Sequence, residues 1–290
     1  MNIEPSEIIW KRVAEPQADH YDSLVALHFA RERGYERPPV GDAPTILDGK
    51  VALDDSIGWV GPTCEPAPPD HPNVEKGCEL VRLWDAAFTQ LQMLTASVSI
   101  FLDTRAVIYE NTTGSMSTHD RDTFGRVAAT VNTAAGFAHA LVHETSHNKL
   151  RALGIRFESA ERIITNSPAH QYHSPIRYDC LRPMQAVFHA QYSFTHVAAL
   201  DVEIINSGKY AELKPLICKH SLADKLPKLQ FGLSVIRRDV EVDQAGADFM
   251  TGFYEWSERV LADGFGILDE MRIPPKPFAH PLRVEFEDRK

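Results

Sequence analysis

The 290-residue chain is 43% hydrophobic and 24% charged, which is ordinary for a globular protein and enough to bury a full core. Its 40 acidic and 30 basic side chains give a net charge of −10. That balance disfavours nucleic acid and anionic membrane surfaces as general partners. No apolar run approaches the roughly 18 residues of a membrane helix, and the acidic start lacks the pattern of a signal peptide. We therefore expect a cytoplasmic protein with free thiols, a Cys64–Cys78 disulfide being the alternative.

The first third of the chain predicts two helices separated by a long irregular segment. Residues 22–33 carry apolar side chains at helical spacing, with Asp22 or Ser23 as the cap. Residues 37–72 are rich in proline and glycine, which favours a surface excursion that is either a lid or a plain connector. A continuous apolar stripe over residues 73–94 predicts one long helix.

The middle of the chain predicts strands and then a buried helix. Residues 96–102, 105–109 and 124–131 are rich in β-forming side chains, and residues 110–122 predict a polar turn. These strands are expected to form a small antiparallel sheet against the helix that follows, which runs from residue 132 or 133 to 153 and ends at Gly154.

The last part of the chain is predominantly helical by its pattern. Residues 155–164 fit a strand or a helix equally well, and residues 166–181 predict a loop. Predicted helices follow over residues 183–205, 210–220, 222–238 and 244–269, and nothing in the last third suggests chemistry. The expected class is a helix-rich α+β fold. We expect a single catalytic domain over residues 1–290, in which 1–95 can form an N-terminal subdomain and 96–207 the metal-site core.

The strongest chemical signal is the H-E-x-x-H motif formed by His143, Glu144 and His147. Residues four apart share a helix face, so both imidazoles can reach one metal ion. The preceding residues are almost all apolar, and buried imidazoles and a carboxylate need a partner such as a divalent cation. In a histidine-rich chain the motif can also arise by chance.

This motif is typical of zinc peptidases, in which the glutamate acts as general base. One common third-ligand pattern is absent, because Leu150 and Leu153 occupy its glycine and histidine positions. The other, a downstream N-E-x-x-x pattern, does not occur between residues 150 and 201. His189, on the apolar helix over residues 183–205, is the best third-ligand candidate, with a hydrogen-bonded core histidine as the alternative.

Two further histidines and two arginines are weaker candidates. His139 and His196 can lie near the metal or in the core. Arg177 and Arg182 stand in the loop between the two helices, where a guanidinium can pair with the distal carboxylate of a dicarboxylate co-substrate. The alternatives are a structural ion pair of Arg177 with Asp179 and a helix-capping role for Arg182.

Three segments together resemble a known family. HETSHNKL, SPIRYDCLRP and AVFHA occur in this order within residues 136–197. The combination resembles the HExxH-type peptide β-hydroxylases of bacterial peptide-maturation clusters, which depend on iron(II) and 2-oxoglutarate. Ile176 replaces an expected aromatic residue, and Cys180 and Leu181 replace a more polar pair.

The resemblance implies a site and a reaction. His143 and His147 would bind Fe(II), with His189 matching the family's downstream histidine as third ligand. Arg177 and Arg182 would bind the C5 carboxylate of 2-oxoglutarate. O2 would be the second co-substrate, and the product a hydroxylated C–H, expected at Cβ, of a peptide or amino-acid-like small molecule.

Several alternatives stay open at this point. Iron is more commonly bound by two histidines and one carboxylate, for which Glu144, Asp179 and Asp201 are available. Glu144 would then either act directly or orient a ligating histidine. The rival functions are a zinc metallopeptidase with Zn(II) and Glu144 as base, and a helical interaction protein with a degenerate metal site. The sequence leaves the oligomeric state open.

Overall fold

The computed structural model describes residues 7–36, 39, 41–55, 57–58, 61–105, 112–176 and 180–278. The helix-rich α+β class is confirmed, because long helices surround one small six-stranded sheet. No helix in these ranges is both long and apolar enough to cross a membrane. All four cysteines lie in the described part of the chain, and no disulfide joins them.

The sheet is mixed, whereas the sequence predicted an antiparallel one. Its strands are short except for the central β4; they are β1 (Thr45–Ile46), β2 (Val51–Leu53), β3 (Cys64–Pro66), β4 (Ser97–Asp103), β5 (Ser117–His119) and β6 (Arg126–Thr130). β4 pairs in parallel with β2 and β6 and antiparallel with β3. β1 and β5 pair antiparallel with β2 and β6 and form the two edges.

Two predictions about this region need correction. The segment predicted as an irregular excursion supplies β1, β2 and β3, and the segment predicted as a polar turn supplies β5. These short strands form by pairing with neighbouring strands of the sheet, which no local pattern reveals. The strand predicted over residues 105–109 lies almost wholly outside the described residues.

The N-terminal helices differ in detail from their predicted bounds. α1 (Trp10–Val13) precedes α2 (Tyr21–Glu32), whose N-cap is His20 without a side-chain cap bond. Asp22, predicted as a cap, is buried instead. The stripe predicted as one helix is two, α3 (Pro72–Val81) and α4 (Asp85–Leu94), and the intervening residues turn the chain.

α5 (Ala134–Ala152) carries the H-E-x-x-H motif and is the central helix. It begins where predicted, because Thr133 Oγ1 accepts a hydrogen bond from Gly136 N at 3.0 Å. Asn132 fixes this start to the sheet, since its side-chain amide donates to Asp103 O and accepts from Asp103 N, both at 2.9 Å. Gly154 ends the helical segment with a φ of +87°, which favours glycine.

The C-terminal helices enclose α5 on its other side. α6 (Met184–Ser207) is buried on almost every side and ends at Gly208, whose φ is +66°. α7 (Lys214–Ile217) continues through a π-helical stretch, Cys218–Leu222, into α8 (Ala223–Asp239), and α9 (Gln244–Glu270) closes the fold. One buried apolar cluster runs from Ile8 to Leu268, so the sheet and both sets of helices share a core.

Asp22 and Lys149 form an ion pair with fully buried side chains. Lys149 Nζ lies 2.7 Å from Asp22 Oδ2, and Gln90 Nε2 donates to the same oxygen at 2.9 Å. Burial lowers the pKa of Lys149, and the Asp22 carboxylate opposes that shift. The pair joins α2 to α5 and satisfies two charges that would otherwise be stranded in the core.

We predict that Lys149→Met destabilises the protein by about 3–5 kcal/mol, because it leaves the Asp22 carboxylate buried without its cation. Lys11→Met is the matched control, because Lys11 pairs with Glu255 at 2.7 Å on the surface and its loss should cost at most about 1 kcal/mol. Urea unfolding of both variants measures the difference. Equal losses would show that the buried pair contributes no more than a surface one.

Candidate metal centre

The motif histidines of α5 face each other across one helical turn. His143 Nε2 and His147 Nε2 lie 3.1 Å apart, and the two ring centroids are separated by 4.7 Å. Two nitrogen ligands of one ion, each at about 2.1 Å, lie roughly 3.0–3.4 Å from each other. The predicted pairing of these two side chains is therefore present with a separation that one metal ion can bridge.

Hydrogen bonding fixes which nitrogen of His147 carries its proton. His189 Nε2 lies 3.0 Å from Ile155 O, and since a carbonyl only accepts, this nitrogen carries the proton. His189 Nδ1 of a neutral ring is then an acceptor, and it lies 3.0 Å from His147 Nδ1. His147 thus donates from Nδ1 and presents the lone pair of Nε2 towards His143.

Both rings of this relay are held neutral by burial. Burial lowers the pKa of His189 to about 3, and burial and the adjacent His143 imidazole hold the pKa of His147 well below its usual value. Burial also lowers the pKa of His143. Neutral imidazoles with exposed lone pairs are what a divalent metal ion needs.

His189 therefore contacts His147 on the side away from the shared Nε2 pair. This arrangement makes it an orienting partner of a ligand, as the partners of metal-bound histidines commonly are. The prediction that His189 is the third ligand stays a prediction, and it would require the ring to leave Ile155 O. Phe157 stacks on the His189 ring at 4.2 Å and helps to hold it.

Glu144 points to strand β5 and is engaged there on both oxygens. Ser117 Oγ donates to Oε1 at 2.7 Å, and His119 Nδ1 lies 2.8 Å from Oε2. Burial alone would raise the pKa of Glu144, but the hydrogen bond from His119 and the nearby His143 imidazole outweigh it and lower the pKa. The carboxylate is thus ionised and 4.0 Å from His143 Nε2.

His119 is a site residue that sequence reasoning missed. Its ring centroid lies 5.2 Å from that of His147, and its face stacks on Phe157 at 5.7 Å. Because Nδ1 donates to Glu144, a neutral His119 keeps a lone pair on Nε2. A single histidine in a polar stretch gives no sequence signal, and only the pairing of β5 with β6 brings it to α5.

A cavity of about 690 Å³ adjoins the His143 and His147 side chains, and we call it the histidine cavity. Its walls come from α5, α6, α8 and the β5 segment, and they include His119, His143, Glu144, His147, Arg182 and Lys225. Such a volume suits a small-molecule co-substrate together with part of a second ligand. Arg182 lines this cavity, whereas Arg177 and Asp179 lie outside the described residues.

Lys225 belongs to the C-terminal third, where the sequence suggested no chemistry. It donates to Ser221 Oγ, which donates in turn to Asp201 Oδ2. Asp201 Oδ1 lies 2.6 Å from His139 Nε2. Burial lowers the pKa of Lys225, and the Asp201 and Asp224 carboxylates oppose that shift.

The weaker candidates of the sequence analysis have other partners. Asp201 is occupied by His139 and Ser221, so its carboxylate is engaged away from the Nε2 pair. His196 Nδ1 lies 2.9 Å from Tyr192 O, and its ring packs edge-on against Trp256. His196 is therefore a core residue of α6.

The donor set fits a divalent first-row ion in part. His143 and His147 supply two neutral nitrogen ligands, which suit iron and zinc alike. Within the described ranges, however, no set of three or more histidine, cysteine or carboxylate side chains converges as a finished metal site. A third protein ligand would have to exchange its present hydrogen bonds for the metal, as His119, Glu144 and His189 would.

No protein-family model matches the sequence, and a search of curated proteins found no match either. Function has to be argued from the geometry of the site and from the motif resemblance.

We predict that acid destabilises the protein through its buried neutral histidines. Burial lowers the pKa of His189 and of His196 to about 3, whereas an unfolded histidine has a pKa near 6.5. The unfolded state therefore binds more protons between these values, and stability is lost as the pH falls below about 6.5. Each residue should contribute about 1.4 kcal/mol per pH unit.

Urea unfolding at pH values between 7.5 and 5.5 measures this dependence. His196→Phe removes one buried group and should reduce the loss of stability over this interval by about 1.4 kcal/mol, while exposed His170→Phe should leave that loss unchanged. An unaltered loss in His196→Phe would contradict the prediction.

Proposed function

We propose that this protein is an Fe(II)- and 2-oxoglutarate-dependent oxygenase that hydroxylates an unactivated C–H of a peptide or amino-acid side chain. The observation that carries the proposal is one cavity in which a pair of neutral imidazoles, 3.1 Å apart at Nε2, faces cationic side chains. The cations are Arg182 and Lys225. The resemblance of the HETSHNKL, SPIRYDCLRP and AVFHA segments to HExxH-type peptide β-hydroxylases supports the same assignment.

His143 and His147 would hold the iron. His189 acts through its hydrogen bond to His147, which keeps that ring in the tautomer with a lone pair at Nε2. The third ligand would come from His119, Glu144 or His189, each of which would have to exchange a present hydrogen bond for the metal. Bound Fe(II) with 2-oxoglutarate and O2 would supply the oxidising power, which no protein side chain has.

Cationic residues would bind the distal carboxylate of 2-oxoglutarate. Arg182 offers a planar guanidinium that suits a carboxylate, and Lys225 offers an ammonium that is linked to Asp201 through Ser221. Burial disfavours the charged form of Lys225, and an anion bound beside it would favour that form again. Arg177 remains a predicted contributor from the sequence.

Glu144 would organise the cavity wall rather than move protons. Its two oxygens hold Ser117 and His119, which fixes β5 against α5 and the His119 ring beside His147. The apolar rings of Phe157 and Phe194 pack on the histidines and limit the access of water to them. In an oxygenase of this kind, the protein contributes the orientation of the reactants and the exclusion of water.

A zinc metallopeptidase is the second candidate, and the state of Glu144 favours it. A general base has to be ionised, and the pKa of Glu144 is lowered by His119 and His143 against the effect of burial. The cationic Arg182 and Lys225 have no comparable task in peptide hydrolysis, which is why we place the oxygenase first.

We predict that replacing His143 or His147 affects metal affinity more than replacing His189. His143→Ala and His147→Ala should abolish Fe(II) and Zn(II) binding, while His189→Ala should weaken it about 10–100-fold, as loss of an orienting partner does. Titration calorimetry under anaerobic conditions measures the affinities, with His170→Ala as an exposed control. Complete loss of binding in His189→Ala would instead make His189 a ligand.

Turnover separates the candidate functions. The anaerobically iron-loaded protein, exposed to O2 and 2-oxoglutarate with a pool of short peptides, should form succinate and hydroxylated peptide, and Glu144→Gln should retain part of this activity. Zinc-dependent peptide cleavage that Glu144→Gln abolishes would establish the peptidase. Absence of metal binding would leave an interaction protein.

The same assay tests Lys225. Lys225→Met should raise the KM for 2-oxoglutarate roughly tenfold, because one cationic partner of its carboxylate is lost. Lys228→Met is the matched control, one helical turn away, where the lysine pairs with Asp224 at 2.6 Å. Equal KM values in the two variants would remove Lys225 from the site.

A further inference from the structure

A second, smaller cavity adjoins the histidine cavity. Its volume is about 260 Å³, and its walls include Arg121, Arg151, Arg156 and Glu158. His119, Phe157 and Arg121 line both cavities, so the two meet at the His119 and Phe157 rings. We call the smaller cavity the arginine pocket.

Two of its guanidinium groups are held by one tyrosine. Arg151 Nε and Arg156 Nη2 lie 3.4 and 3.2 Å from Tyr35 Oη, and the Arg151 guanidinium lies 4.8 Å from the Tyr35 ring centroid. Arg151 Nη1 also donates to Asp120 O at 2.7 Å. All these acceptors are neutral, and the Glu161 carboxylate interacts with Arg156 at longer range.

Several other arginines of the chain have acidic partners at ion-pair distance. Examples are Arg12 with Asp19, Arg33 with Glu161 and Arg82 with Asp48. Across the described ranges, no carboxylate lies within ion-pair distance of Arg121, Arg151 or Arg156, although acidic residues outnumber basic ones in the sequence. Glu158 on the wall balances at most one of the three charges.

The position of the arginine pocket beside the histidine pair indicates how one ligand could contact both. Arg151 follows His147 by four residues on α5. His143, His147 and Arg151 therefore lie along one face of the helix, which leads from the histidine pair to the arginine pocket. A ligand that spans the shared His119 and Phe157 wall would place an anion at the arginines and its adjoining atoms beside the histidines.

We propose that the arginine pocket binds a carboxylate side chain of an acidic peptide substrate. Its volume suits one glutamate- or aspartate-sized group, and guanidinium groups favour carboxylates through paired hydrogen bonds. The net charge of −10 opposes a phosphodiester polymer. The role of this peptide as substrate rests on the proposed function, whereas the binding of its carboxylate does not.

Binding of matched peptides tests the proposal. The probes are N-terminally fluorescein-labelled Gly-Glu-Glu-Gly amide and Gly-Gln-Gln-Gly amide, and anisotropy is measured with metal-free and iron-loaded protein at low salt. The glutamate probe should bind at least about tenfold more tightly than the glutamine probe, and salt should reduce the difference. Equal affinities for the two probes would overturn the proposal.

Matched variants locate the site. The double variant Arg121→Gln/Arg156→Gln should remove the preference for the glutamate probe, since both side chains are exposed and the fold does not depend on them. Arg31→Gln/Arg272→Gln makes the same change of charge at exposed arginines outside both cavities and should keep the preference. A preference that survives in the first double variant would place the acidic site elsewhere.

Competition identifies the anion. Glutarate should displace the glutamate probe at lower concentration than inorganic phosphate, and the reverse order would assign the pocket to a phosphorylated ligand and overturn the proposal. Because this binding needs neither iron nor 2-oxoglutarate, a protein that binds the probe but forms no succinate would refute the oxygenase and leave the pocket assignment intact.

Discussion

The hydrogen-bonded relay from Ile155 O through His189 to His147 determines the chemistry available at the centre of this fold. A neutral imidazole has one donor and one acceptor, so a carbonyl at one end of two linked rings fixes every proton between them. In the relay, His147 donates from Nδ1 to His189, so its Nε2 keeps a lone pair. That lone pair can accept a hydrogen bond from His143 Nε2, 3.1 Å away, or bind a metal ion.

That relay depends on how α5 ends. Gly154 adopts a left-handed conformation that turns the chain back at once, and Ile155 O is thereby directed to α6, where His189 lies. A Cβ at Gly154 would clash with the Arg33 guanidinium, which caps the helix end through Ala152 O at 2.8 Å. The left-handed residue that ends the helix thus also fixes the tautomer of His147.

α5 also explains why so much polarity can be buried around it. Its Lys149 pairs with Asp22 of α2, its His139 with Asp201 of α6, and its Glu144 with His119 of β5. Each of these three side chains therefore reaches a different neighbouring element, and the pairing that offsets desolvation also orients that element. His143 differs from them, since the nearest partner of its Nε2 is His147 Nε2 on the same helix.

The sequence could predict what is set by residues close together in the chain. The spacing within H-E-x-x-H, the Thr133 cap and the Gly154 terminator are local, and they occur as expected. Asp22 was misassigned as a cap because its partner Lys149 is 127 residues away. His119 and Lys225 were missed because β-pairing and the packing of α8 bring them to the site, and neither leaves a local pattern.

Glu144 shows where the two candidate chemistries separate. Its oxygens accept from Ser117 and His119, and each carboxylate oxygen has a second lone pair that could still take a proton from water. A base in this position would have to weaken its bond to His119, which is also the bond that lowers its pKa and sets the His119 ring. A structural role for Glu144 would leave its hydrogen bonds to Ser117 and His119 intact. The geometry around Glu144 therefore favours a residue that holds the site in place over one that exchanges protons within it.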